Sequence, residues 1–249
     1  MKLAFRWFAL GCVLLLALQL FFAARIAAMA VLDPSSTAFQ RSEAARLARA
    51  GALGKWRQQW VAGPALPDHL KRAVIASEDA DFVRHGGVEW QAIRGAWQRN
   101  ARAEAQRARR LEQAEARGRS VDALPDAKVV GGSTITQQLA KNLFFAGERN
   151  LARKGQELVV TLLLEAFLSK ERILELYLNS VEWGEGVFGA EAAAQHYFRK
   201  PAARLSPYEA ARLAVMLPRP RFYERVPNSA YLSSRAGTIA ARMGGVALP

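Results

Sequence analysis

The chain has 249 residues, is 51% hydrophobic and carries 35 Lys and Arg against 22 Asp and Glu, a formal net charge of +13. That apolar content supports one substantial core with appendages, and with 10 Pro and 18 Gly it excludes a disordered, collagen-like or low-complexity chain. A single cysteine, Cys12, excludes an internal disulfide and a cysteine-rich zinc module.

Residues 7–24 form an 18-residue run without charge, whose one polar side chain is Gln19. A helix of that length spans about 27 Å, close to the hydrocarbon thickness of a bilayer. Lys2 and Arg6 precede it, so the positive-inside bias predicts a cytoplasmic stretch at 1–6, one transmembrane anchor at 7–24 and the rest outside. A cleaved signal peptide is the competing reading, with Ala28-Met29-Ala30 as its small-residue site. The run is longer than a signal core and Arg25 separates the two, which favours an uncleaved anchor. The excess positive charge then sits beside a membrane and calls for an anionic partner: lipid headgroups, a phosphorylated substrate or nucleic acid.

After a break at Asp33-Pro34-Ser35-Ser36, residues 25–64 read as a membrane-proximal linker containing Trp56 and Trp60, and Pro64 and Pro67 punctuate the entry to a main domain at 65–249. From Asp68 onward the signals are helical, with no run of period-2 alternation. Ser206-Pro207-Tyr208-Glu209 is a capping box with Pro at the first helical position. Ser169 caps a helix through Leu178, and Asn228 caps one that ends before Gly244-Gly245. Residues 98–129 form an insertion, whose 99–119 stretch holds seven Arg and three Glu with almost no apolar face. It reads as a solvated helix or mobile insertion; it lacks the aromatic side chains that stack on bases, which argues against nucleic acid.

Two segments carry chemistry. In the first, Ser77 to Gly87, the amphipathic stretch Leu70 to Ala76 places Glu78 and Asp79 near a helix end, where the macrodipole opposes a carboxylate and raises its proton affinity. An acidic surface turn would look the same. In the second, Gly131 to Asn142, a helical reading puts Thr134, Gln138 and Lys141 on one stripe and Ile135, Leu139 and Leu143 on another. The apolar stripe needs a core; a hydroxyl, an amide and an ammonium in register suit an oxygen-rich ligand, although a solvated polar face explains the spacing equally well.

Together these segments resemble the first two signature motifs of the peptidoglycan glycosyltransferases, which polymerise the lipid-linked disaccharide-peptide precursor of the bacterial wall. Glu78, Asp79, Phe82, His85 and Gly87 match the first, and Gly131 to Asn142 the second. Arg153, Lys154 and Glu157 match the third, Ile173 to Asn179 the fourth, and Gly186 to Phe198 the fifth, in order across roughly residues 65–220. Two departures stand out. Glu89 occupies a position usually held by Asp, and the stretch between the first two motifs is lengthened by the Arg-rich insertion.

The resemblance implies a mainly α, lysozyme-like fold with a smaller membrane-proximal lobe. It implies transfer of the growing lipid-diphosphate-linked glycan onto the 4-hydroxyl of a lipid-linked precursor, with inversion to a β-1,4 bond and release of polyprenyl diphosphate. Glu78 is then the catalytic base and Glu157 the second catalytic carboxylate, one helical turn from Arg153 and Lys154. Lys141 and Arg149 fall where the family contacts the diphosphate, and Asp79, Phe82, His85, Ser133, Thr134, Gln137, Gln138, Arg153 and Lys154 complete the implied substrate site. No metal-ligating set is assigned, and room is left for a divalent cation, Mg or Mn, at the diphosphate. The implied partners are the precursor, the nascent strand and the membrane, with room for other cell-wall synthesis proteins and none for nucleic acid. The implied location is the bacterial inner membrane, single-pass, with the catalytic domain in the periplasm.

Other signals are discounted. Gly184-Glu185-Gly186-Val187-Phe188-Gly189 satisfies the dinucleotide pattern but lacks a βαβ unit. His69, His85 and His196 show no metal spacing. Tyr177 and Leu174 read as core. No Ser-x-x-Lys and no Lys-Thr-Gly occurs, so the penicillin-reactive transpeptidase of bifunctional relatives is missing. A glycan-cleaving enzyme on the same fold would need neither anchor nor diphosphate site, and a non-catalytic scaffold would tolerate loss of Glu78.

Overall fold

The apolar run folds as α1 (Lys2–Ala28), and α2 (Ala38–Arg49) follows a capping box in which Thr37 and Gln40 satisfy each other's backbone N–H groups. A computed structural model describes residues 2–116, 132–147 and 150–249. After α2 come β1 (Arg57–Gln58), α3 (Asp68–Glu78), α4 (Trp90–Ala116) and α5 (Ile135–Phe144). The remainder is α6 (Leu151–Phe167), α7 (Lys170–Ser180), β2 (Glu182–Gly184), β3 (Val187–Phe188), α8 (Ala190–Phe198), α9 (Pro207–Met216), α10 (Pro220–Arg225) and α11 (Ala230–Arg242).

The chain divides into two units, one of residues 1–87 with 135–249 and one of residues 88–134. In the larger unit α9 packs on α3 and α11, and α5 packs on α6 and α7. The expected apolar stripe of α5 is what this packing buries: Ile135, Leu139 and Leu143 are in the core with Leu70, Val74, Phe82, Tyr177 and Trp183. Ser206 and Ser169 cap α9 and α7 as expected, and Asn150 caps α6 by accepting the N–H of Arg153 at 2.8 Å. The cap of α11 is Ser229, one residue beyond the expected Asn228, because the Ser229 hydroxyl accepts the Leu232 N–H.

A three-stranded sheet in the order β1-β3-β2 is the feature that hydrophobic patterning misses. Its strands are two or three residues long, too short for alternation to register, and β2 and β3 are buried throughout. The glycine-rich 184–189 segment runs from β2 through a turn into the antiparallel β3, so it is a hairpin and not a dinucleotide loop.

The apolar helix α1 does not stop at the edge of the unit. Its last turns contribute Phe22, Ile26 and Met29 to the core, and Phe22 meets the Phe144 ring edge-on at 5.2 Å. Farther up, the amides of Gln19 and Gln156 hydrogen-bond each other in both directions at 3.0 Å, which satisfies the one polar side chain of the apolar 7–24 run. Arg172, on α7, holds the end of the helix: it donates to the carbonyls of Met29 at 2.7 Å and Leu32 at 3.0 Å, and to Asp33 at 2.7 Å. Both carbonyls lie just past the last helical residue, whose turn is closed by backbone bonds from residues 29–32, so Arg172 clasps the chain as it leaves the helix. The Ala28-Met29-Ala30 site of the signal-peptide reading thus has a buried, docked methionine at its centre.

The 88–134 unit is built on α4, which carries the described part of the Arg-rich insertion. From Arg99 to Gln113 its side chains are mostly exposed, the solvated helix expected from composition. Gly132 lies where a Cβ would sit 3.1 Å from that of Ala96 and 3.3 Å from the Ala92 carbonyl, so the backbone at this glycine of the second motif is pressed against α4.

Candidate active site

Glu78 is the last residue of α3. Leu70, Ala73 and Val74 bury one face of that helix, and it ends because Asp79 turns into an extended conformation, its N–H still bonded to the Ile75 carbonyl at 2.9 Å. Burial pushes the Glu78 carboxyl above its ordinary value and the neighbouring Asp79 charge adds to the rise, while hydrogen bonds from Gln138 and Ser77 pull the other way.

Gln138 donates its amide nitrogen to Glu78 Oε2 at 3.0 Å, and Tyr177 donates its hydroxyl to Gln138 Oε1 at 3.0 Å. An ionised carboxylate only accepts, so the amide has one workable orientation and the phenol must be the donor. Burial, with the charges of Glu78 and Asp79, holds the Tyr177 phenol well above its ordinary value, so that proton stays in place. Glu78 Oε1 has only a long contact of 3.4 Å to the Ser77 hydroxyl among the described residues, and that hydroxyl also lies 3.3 Å from the Ala214 carbonyl. Oε1 is therefore the less engaged of the two carboxylate oxygens.

Behind Glu78 the rest of the first motif holds itself together. Asp79 Oδ1 pairs with His85 Nε2 at 2.8 Å, and Oδ2 accepts the N–H of Ile135, the first residue of α5, at 3.0 Å. The Gly87 N–H donates to His85 Nδ1 at 3.1 Å, which places the ring proton on Nε2 and makes the histidine the donor to Asp79. Phe82 is fully buried, its ring edge-on to His85, so what it contributes is packing beneath the loop. Gly87 has φ of +84°, and a Cβ there would lie 2.8 Å from Glu165 Cγ and Thr161 Cγ2, so only glycine fits.

The second motif reaches the site through α5. Gln138 faces Glu78, Gln137 is half-buried and Lys141 is exposed. Thr134 precedes the helix and so is not on its stripe; Ser133, exposed, and Thr134, buried, belong to the 88–134 unit. Arg149 lies outside the described residues.

The third motif forms one face of α6. Glu157 is only 6% exposed and its two oxygens are taken by Arg153 and by Lys154, the latter at 3.3 Å, while the Thr161 hydroxyl donates to its carbonyl at 2.7 Å. One carboxylate between two cations suits an anionic ligand. It is a poor cage for a divalent cation, which asks for several oxygen ligands. Neither Glu78 nor Glu157 lines the cavities of about 350 and 220 Å³ elsewhere on the molecule.

The family model described as Transglycosylase matches residues 43–109 and 114–244. The chain belongs to the transglycosylase family. A protein from Burkholderia thailandensis named biosynthetic peptidoglycan transglycosylase is 52% identical over 234 residues, 94% of this chain and 83% of its own. One of the same name from Bordetella pertussis is 53% identical over 217 residues, covering 87% and 82%. The mainly helical, lysozyme-like fold that the motifs implied is that of the transglycosylase family.

Sequence reasoning missed four members of the site's surroundings in this transglycosylase. Tyr177 read as core, which its burial bears out, but its hydroxyl is also the donor that orients Gln138. Thr136, Glu165 and Lys170 form a buried polar cluster behind the His85 loop. The one local signal was Lys170 itself, a cation at the first position of a helix, where the macrodipole disfavours it.

Proposed function

We propose that the chain polymerises peptidoglycan glycan strands from lipid-linked disaccharide-peptide precursor at the outer face of the bacterial inner membrane, held there by α1 as a single span. The observation that carries the reading is the Glu78 carboxylate: half-buried, raised in proton affinity, fixed through one oxygen by the Gln138–Tyr177 relay and only loosely engaged, by the Ser77 hydroxyl, at the other. A carboxylate in that state is suited to take a proton from a sugar hydroxyl once it lies within hydrogen-bond reach.

In the proposed reaction, the acceptor's 4-hydroxyl oxygen attacks the anomeric carbon of the lipid-linked strand. A carbon–oxygen bond forms on one face as the bond to phosphate breaks on the other, which inverts an α-linkage to β-1,4. The hydroxyl proton passes to Glu78 Oε1, and the bonding pair leaves with the polyprenyl diphosphate. Lys141, Arg149, Arg153 and Lys154 supply fixed positive charge to the departing diphosphate, and Glu157 keeps Arg153 and Lys154 on one face. The substrate carries its own leaving group, so no nucleotide sugar is consumed.

The test is direct. Purified full-length protein, given labelled lipid-linked precursor and no nucleotide sugar, should yield long glycan strands. Unchanged precursor, or cleavage of preformed strands instead, would contradict the proposal.

A further inference from the structure

The Lys170 ammonium makes three contacts: it donates to the His85 carbonyl at 2.7 Å and to Glu165 Oε1 at 2.8 Å, and it faces the Phe82 ring at 4.5 Å from the centroid. All three belong to one structure, the loop that follows Glu78 and the wall behind it. Glu165 Oε1 also accepts the Thr136 hydroxyl at 2.5 Å, and its Cγ lies against Gly87. The cluster therefore touches the loop at Phe82, His85 and Gly87 and touches α5 at Thr136, two residues before Gln138.

Lys170 is also in the wrong place for stability. As the first residue of α7, after the Ser169 cap, it sets a positive charge against the positive end of the helix. Its side chain and that of Glu165 are mostly buried, at 19% and 11% exposure, which adds desolvation. A residue that breaks a local rule inside a polar network behind an active site points to function.

We infer that Lys170, paired with Glu165, is a positioning residue: it pins the 82–87 loop so that His85 holds Asp79, Asp79 holds the start of α5, and Gln138 meets Glu78. The inference rests on the reading of Glu78 as the base. The Lys170 ammonium is engaged by the loop and by Glu165, not by Glu78, so its loss should misplace the base without removing a substrate-binding group. Small misplacements of a reacting group are costly in rate.

The experiment measures steady-state kinetics of full-length Lys170→Met, Lys170→Arg and the double variant Glu165→Gln/Lys170→Met on lipid-linked precursor. It is joined with ¹⁵N spectra of the histidine rings recorded without substrate. Lys170→Met should lower kcat at least tenfold with KM within threefold of wild type. Lys170→Arg, which keeps a donor to the His85 carbonyl, should recover most of the rate. The double variant, which leaves no unpaired Glu165 charge to unfold the protein, should stay slow. The His85 signals should move from a single Nε2-protonated tautomer toward an average. An unchanged kcat per active molecule, a change in KM alone, or a slow Lys170→Arg would overturn the inference. Were the wild type to make no polymer, the functional reading would fall, and the ring spectra would still decide: a His85 signal unchanged in Lys170→Met overturns the positioning role.

Discussion

The Tyr177 hydroxyl, 3.0 Å from Gln138 Oε1, turns the Gln138 amide nitrogen onto Glu78 Oε2. A residue in the centre of the core thereby reaches the carboxylate proposed as the base through one intermediary. Removing that hydroxyl leaves the ring in place and frees the amide to rotate. Tyr177→Phe should lower kcat by about 2- to 13-fold, the worth of one neutral hydrogen bond of about 0.5–1.5 kcal/mol, with little change in KM. A rate equal to wild type would show that the amide holds its orientation without Tyr177.

As the proposed base, Glu78 should give the enzyme a signed dependence on pH. Its carboxyl is raised above the ordinary value of 4.5, chiefly by burial, and a base works only when ionised, so kcat should climb with pH through a midpoint above 4.5. For stability, the folded protein binds this proton more tightly than the unfolded chain does. The group's contribution is full below 4.5 and is lost as pH rises through the raised folded value. Glu78→Gln cannot ionise, so it should melt higher than wild type at pH 8, with the gap closing toward pH 4. Parallel melting curves across that range would contradict a raised carboxyl.

Lys141 is exposed on α5, so its substitution should spare the fold. Lys141→Ala should reduce kcat/KM by roughly 10²- to 10³-fold, the scale of one fixed group that stabilises developing charge, while the melting temperature stays within a degree or two. Unchanged kcat/KM would remove this lysine from the diphosphate side.

Helix α1 is predicted to be part of the folded unit. Phe22, Ile26 and Met29 are buried in the core, and burial of three such side chains is worth roughly 4–9 kcal/mol, comparable with the whole stability of a domain. A chain lacking residues 1–30 should therefore unfold at markedly lower urea than the full-length protein in the same detergent, or aggregate through the uncovered face. An unchanged midpoint would mean that α1 is a tether only.

What the sequence disclosed follows the range of the forces involved. Caps at Ser169 and Ser206 and the buried stripe Ile135, Leu139 and Leu143 are local or periodic, and all stand in the structure. The pairing of Glu157 with Arg153 and Lys154 was legible because one helical turn brings them together. The β1-β3-β2 sheet was not, because Arg57 and Val187 meet only through tertiary packing and the strands are too short for a pattern. For the same reason the Lys170–His85 contact, 85 residues apart, and the Arg172 clasp on Met29 had no sequence signature as contacts. The Gln19–Gln156 pair shows the same limit: Gln19 stood out as the lone polar residue of the apolar run, but its partner did not.

The central claim is that Glu78 takes the proton from the acceptor hydroxyl. The measurement that bears on it most directly is kcat for lipid-linked precursor with Glu78→Gln against wild type, at a pH where the wild type is fully active and both proteins are folded. Loss of about 10²- to 10⁴-fold in kcat is the expected result. Turnover within threefold of wild type would show that another group accepts the proton.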